Sequence, residues 1–204
     1  MITGFLGNGG GGYIASGYTF TSVDSRFDFI LFKVSAEGEI EWHEIFVQHR
    51  DQYCHAMTAV PEGGYLMVGT NLVDWAAYEV NVIRTDEEGE VIWQNHYGTE
   101  MIDIDGNDRG YAITPTEDGN FVIAGETYSP DDEVNYSVLM LEIDIDGELN
   151  WMEVIDMDQN ERGRAILKTM DGGFVLSGCY SEAGLSGNPL ITKTDDGGNL
   201  VWLY

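Results

Sequence analysis

One short phrase occurs four times in 204 residues: GGGYIASG at 10–17, EGGYLMVG at 62–69, DGNFVIAG at 118–125 and DGGFVLSG at 171–178. A second phrase trails each copy at a nearly constant distance: FKVSAEGEIEW (32–42), IRTDEEGEVIW (83–93), LEIDIDGELNW (141–151) and TKTDDGGNLVW (192–202). In all four a glycine stands four residues before a tryptophan, at Gly38/Trp42, Gly89/Trp93, Gly147/Trp151 and Gly198/Trp202. Successive tryptophans are 51, 58 and 51 residues apart. A repeat of this period is one supersecondary unit that cannot bury its apolar face alone, so neighbouring units must stack into a continuous core.

The local chemistry says what the unit contains. Asp-Gly, Gly-Gly and Gly-Asn pairs ahead of an apolar run predict a tight hairpin with primed turns, whose central residues need positive φ. YLMVG and FVIAG are apolar on both faces, which predicts a strand covered on both sides. The second phrase is another hairpin, whose acidic turn leads into a strand carrying the Trp. Each unit therefore has room for four short strands, A to D, at 54–60, 64–70, 79–86 and 90–97 in the second unit; in the first, strand A is either MITGFL or missing. The expected fold is all-β, a single-domain β-propeller of four four-stranded antiparallel blades, either a closed ring or part of a larger one. The units run approximately over 1–47, 48–98, 99–155 and 156–204.

The pattern DGGY-I-x-A-G followed by K-x-D-x-x-G-x-x-W resembles the β-propeller repeats of secreted and surface proteins of bacteria and archaea, relatives of the pyrroloquinoline-quinone-like and kelch propellers. The resemblance covers essentially the whole chain. It implies a propeller scaffold in an extracellular or cell-surface setting but no particular activity, because fold does not imply function. The chain departs from the pattern at GNGGGG in the first unit and at Glu142, which replaces the basic residue of strand C in the third.

Composition narrows the partners. With 43% hydrophobic and 12% aromatic residues the chain is no disordered segment, and 36 acidic against 9 basic residues give a formal charge of −27. That charge repels phosphate backbones and anionic lipid, so neither nucleic acid nor membrane insertion is expected. The acidity reads as solubility or salt adaptation, or else as cation binding. Lys33, Arg84 and Lys193 share one strand-C position, and Arg109 and Arg162 each precede the Ala of strand A by three residues. These bases are expected to pair with acidic turns, leaving no basic patch for a ligand. Cys54 and Cys179 occupy different repeat positions and read as small buried apolar residues. The N-terminus lacks the features of a signal peptide, so a secretion signal is expected outside this sequence.

The search for chemistry is brief. His43, His49, His55 and His96 form no metal-ligand spacing, and no nucleophile motif occurs. The expectation is a non-enzymatic module without a catalytic residue, binding or scaffolding a protein or glycan. The alternatives are a carbohydrate-active enzyme domain and a structural spacer or assembly unit, homo-oligomeric or part of a larger assembly. Binding is expected on the end of the propeller where the B–C and D–A connections vary, since variable loops on a rigid scaffold carry function. Candidate binding residues are Asp74, Trp75 and Tyr78 in one loop and Asp131, Asp132 and Glu133 in another. Asp103, Asp105, Asn107 and Asp108 around Gly106 resemble the opening of a Ca²⁺ loop, so Ca²⁺ is the one cofactor considered. Trp42, Trp93, Trp151 and Trp202 are expected to be structural, buried and equivalent.

Overall fold

The computed structural model describes residues 1–7, 9–21, 26–73, 77–102, 106–129, 135–157, 159–181 and 187–204. Sixteen strands form four separate antiparallel sheets, each with its strands in sequence order. Blade 1 comprises β1 (Ile2–Gly7), β2 (Tyr13–Thr21), β3 (Arg26–Val34) and β4 (Ile40–Phe46). Blade 2 comprises β5 (Gln52–Ala59), β6 (Tyr65–Leu72), β7 (Tyr78–Thr85) and β8 (Val91–Tyr97). Blade 3 comprises β9 (Asn107–Pro115), β10 (Phe121–Ser129), β11 (Asn135–Ile143) and β12 (Leu149–Ile155), after a 3-10 turn at Thr99–Ile102. Blade 4 comprises β13 (Asn160–Lys168), β14 (Phe174–Ser181), β15 (Asn188–Thr194) and β16 (Leu200–Leu203). The fold is a four-bladed propeller array. First strands of successive blades touch one another, β1 to β5, β5 to β9 and β9 to β13, and so line the axis.

The glycine turns differ in detail from the sequence expectation. In the A–B hairpin of blade 4, Thr169 N–H bonds the carbonyl of Gly173 at 2.8 Å and Gly172 N–H that of Thr169 at 3.1 Å, so the loop has three residues, with Gly172 at a φ of 95°. The C–D turn of blade 2 matches it, Asp86 N–H bonding the Glu90 carbonyl at 3.0 Å and Gly89 N–H that of Asp86 at 3.3 Å, with Gly89 at 89°. This is a type I turn closed by a left-handed residue rather than a two-residue primed turn. The first residue explains the acidity of the turn. Asp86 Oδ1 accepts the N–H groups of Glu88 at 3.0 Å and Glu90 at 2.9 Å, and Asp144, Asp195 and Ser35 do the same two and four residues on. These side chains satisfy backbone donors within their own turns. Of the strand-C bases, Lys193 reaches Asp171 of a turn at 3.1 Å, but Arg84 donates to the carbonyls of Gly63 and Thr85.

In blades 1 to 3 the middle strands are buried on both faces, and each seam between successive blades has its own apolar cluster. Ile14, Phe29 and Leu31 meet Met57, Met67 and Ile83 between blades 1 and 2. Leu66, Val68, Val80 and Val82 meet Phe121, Ile123, Leu139 and Leu141 between blades 2 and 3. Val122, Ala124, Val138 and Met140 meet Phe174, Leu176 and Leu190 between blades 3 and 4. The tryptophans lock the outer part of each seam. A Cβ on Gly89 would lie 3.0 Å from the Trp42 ring, on Gly147 3.2 Å from Trp93, and on Gly198 2.8 Å from Trp151. Each Trp therefore seats on the glycine turn of the next blade, and Trp93 Nε1 also donates to the Ile145 carbonyl there at 3.1 Å.

The four tryptophans are consequently not equivalent. Trp42, Trp93 and Trp151 are seated and half-buried, whereas Trp202 is 40% exposed and meets only Tyr204, two residues on, among the ring contacts of the described residues. The corresponding turn of blade 1 is vacant, with nothing within 4 Å of a Cβ on Gly38. Ile191 of blade 4 is 45% exposed, whereas Val82, which holds its register position opposite Val68, is wholly buried. Among the described residues, blades 1 and 4 share no seam of the kind that joins the other pairs. Cys54 is buried as expected, but Cys179 is only half-buried because it lies in this last blade; both thiols are unbridged.

Candidate functional site

Every axial strand carries a β-bulge at the same place. In blade 2, Gly69 pairs with Cys54 and Val68 with Ala56, so His55 is the extra residue. The same step skips Tyr111 in blade 3, Arg164 in blade 4 and Thr3 in blade 1. A bulge leaves one residue out of the ladder and re-aims its side chain. Small neighbours let the bulged strand pack closely: a Cβ on Gly110 would come within 2.8 Å of Val68, and one on Gly163 within 2.9 Å of the Gly125 carbonyl.

Three of the four bulge residues meet. The rings of His55 and Tyr111 are 4.9 Å apart, and the Arg164 guanidinium lies 3.9 Å from the centre of the Tyr111 ring. Beneath them sits Glu126, one residue past the repeated glycine of β10, with a side chain only 3% exposed. Arg109 Nη1 reaches its Oε1 at 3.2 Å, Arg164 Nη2 its Oε2 at 3.2 Å and Arg162 Nε its Oε2 at 3.7 Å. Tyr111 donates its hydroxyl to Oε1 at 2.9 Å. Arg109 also lies over the ring of Tyr78, and Arg162 over that of Tyr136, at 4.4 and 4.1 Å. Such stacking holds a guanidinium in place without neutralising it.

The electrostatics follow from the count. Among the described residues of this cluster, three guanidiniums face one carboxylate, a local excess of two positive charges in a chain of formal charge −27. His55 adds none at neutral pH: burial, followed by repulsion from Arg164 and Arg109, lowers its pKa from 6.5 to about 4. Burial is also the largest cause that raises the Tyr111 phenol, so it remains a neutral donor. The guanidiniums are open to solvent, with Arg109, Arg162 and Arg164 side chains 23%, 36% and 39% exposed. Beside them lies a cavity of about 310 Å³ lined by Tyr53, His55, Thr70, Tyr78, Arg109 and Tyr111. The sequence expectation that no basic patch remains is therefore corrected. Arg109 and Arg162 converge on Glu126 because strand A runs along the axis, where blades 3 and 4 meet.

Tyr78, a candidate from sequence, lines this cavity, and its N–H bonds Asn107 Oδ1 at 3.1 Å. Asp108 is buried and holds the connection returning from β8: its carboxylate accepts Thr99 N–H at 2.7 Å and the Thr99 hydroxyl at 3.0 Å. Burial raises the Asp108 carboxyl above its usual range, partly offset by those bonds and by Thr127. Its register equivalent Glu161 is buried too; desolvation pushes that carboxyl up to about 7, although nearby main-chain amides favour the charge. Asp74, Trp75, Asp103, Asp105, Asp131, Asp132 and Glu133 lie outside the described residues.

Sequence reasoning missed His55, Tyr111, Arg164 and Glu126 as a site. A signal was present: in C-H-A, G-Y-A and G-R-A the flanking residues are small and constant in kind while the middle one changes between chemically active types.

The chain matches no family model and no curated protein. Similar solved structures include a protein of unknown function from Dyadobacter fermentans, 12% identical, with a TM-score of 0.70 over 98% of this chain and 67% of that one. A periplasmic gluconolactonase of Pseudomonas aeruginosa is 12% identical with a TM-score of 0.43, covering all of this chain and 72% of that one. A xylan β-1,4-xylosidase of Bacillus halodurans is 13% identical with a TM-score of 0.49, covering 98% of this chain and 43% of that one. These likenesses concern the propeller fold. The expectation that the chain is not an enzyme is corrected: the similar structures include a gluconolactonase and a xylosidase. At such identities no activity carries over to this chain.

Proposed function

We propose that this propeller is a binding module that takes a saccharide at the variable end of its axis, in an extracellular or cell-surface setting. The observation that carries the reading is the axial cavity bounded by Tyr53, Tyr78 and Tyr111 with His55 and Arg109. Its volume, about 310 Å³, is at the small end of ligand pockets and fits a monosaccharide unit rather than a folded surface. Tyrosine offers an apolar ring face and a hydroxyl together, which suits a sugar's alternation of C–H and O–H faces. Rigid bulged strands hold these groups.

The test is binding of labelled protein to immobilised neutral and acidic oligosaccharides, beside a Tyr78→Ala variant of unchanged melting temperature. Retention on a subset of sugars, reduced at least tenfold in the variant, is the expected result. Retention on none, or equal retention by the variant, would overturn the reading. A second reading, an assembly unit, is favoured by one observation, namely that Trp202 is unseated while the Gly38 turn is vacant. The two are complementary halves of a seam that occurs three times within the chain.

A further inference from the structure

We infer that the group seated against the axial arginines is a single carboxylate, as carried by one uronic acid residue on an otherwise neutral saccharide; this rests on the saccharide reading above. Three of the nine basic residues of the chain gather on one carboxylate, from strands of two blades. Glu126 receives one nitrogen from each guanidinium, whereas a guanidinium carries five N–H donors. Tyr136 engages Arg109 and Tyr111 engages Arg164 as well; beyond these described contacts donors remain for another acceptor, on side chains that are partly open to solvent.

The choice of a carboxylate follows from geometry and from the field. All three cations are arginines, whose planar fork matches a carboxylate in a way that a lysine's point charge does not. Glu126 already shows that this arrangement accepts a carboxylate on its buried side; the ligand's would occupy the exposed side. The surrounding charge of −27 opposes every negative charge brought in. A phosphate dianion is opposed about twice as strongly as a carboxylate, and a polyanionic chain more strongly still. A lone carboxylate on a neutral chain gains the local excess of positive charge at the least long-range cost. The neutral His55 and the Tyr111 hydroxyl then meet the sugar's own hydroxyls.

The experiment is calorimetric titration of the whole chain with a disaccharide ending in glucuronic acid and with the same disaccharide ending in glucose. The acid should bind at least tenfold more tightly, and its advantage should shrink as sodium chloride is raised, because partly exposed charges are screened. Arg164→Met should abolish the preference. Arg162→Met, whose contact with Glu126 is the longest of the three, should weaken it with the least disturbance of the fold. Equal binding of both disaccharides would overturn the inference and leave the saccharide reading standing. Binding of neither would overturn both, and tighter binding of a phosphorylated counterpart would overturn the assignment to a monoanion.

Discussion

Replacing Trp93 with alanine should destabilise the chain by about 3 to 5 kcal/mol, the usual cost of removing a large aromatic from a packed interior, whereas Trp202→Ala should cost less than about 1 kcal/mol. Trp93 packs against the core shared by blades 2 and 3, covers Gly147 of the next blade, and bonds the Ile145 carbonyl at 3.1 Å. Its removal opens the seam and leaves an acceptor without its donor. Trp202 has the same place in the repeat but no following turn in contact, and is 40% exposed. Urea denaturation of the two variants beside the parent measures the difference directly. Equal costs would mean that the seams do not depend on tryptophans seated on the neighbouring glycine turn.

Glu126→Leu should cost about 2 to 4 kcal/mol, somewhat under the figure for breaking a fully buried ion pair because the three guanidiniums are partly solvated. The substitution leaves Arg109, Arg162 and Arg164 facing one another around an apolar group and deprives Tyr111 of its acceptor. Glu126→Gln should fall between parent and Glu126→Leu, since it keeps an oxygen for Tyr111 but loses the charge. Added sulfate should recover more stability in Glu126→Leu than in the parent, because an anion can then occupy the vacated position. Thermal melts with and without sulfate read both effects. A Glu126→Leu protein as stable as the parent would show that the carboxylate does not organise the cluster.

The fold was legible in the sequence because its causes are local and repeated. Gly38, Gly89, Gly147 and Gly198 mark turns whose positive φ, between 83° and 90°, suits glycine. The apolar runs between them mark strands that neighbours must cover. The turn type was misread because a glycine in a type I turn with a left-handed closing residue looks, in sequence, like one at the centre of a primed turn. The unequal burial of the tryptophans was not legible either: Trp202 and Trp93 share the same Gly-x-x-x-Trp spacing, and only the next blade distinguishes them. The site was hidden for a related reason. Arg109 and Glu126 are 17 residues apart and Arg162 comes from another blade, so their meeting depends on the placement of axial strands rather than on spacing within a motif. A bulge leaves no reliable mark in sequence, yet it decides that His55, Tyr111 and Arg164 occupy the axis.

The convergence of those bulge residues is the central claim, and the proton titration of His55, followed by the imidazole resonances in NMR, tests it most directly. Half-buried beside Tyr111 and close to the Arg164 and Arg109 guanidiniums, His55 should titrate near pH 4 instead of 6.5. Because its folded pKa lies below the unfolded value, it contributes stability above pH 6.5 that is lost as pH falls through that window towards 4. Arg164→Met, by removing the larger source of repulsion and part of the burial, should move the titration upward. An imidazole that titrates near 6.5 in the parent, unmoved by Arg164→Met, would contradict the account, because it would place His55 in solvent and away from the arginines.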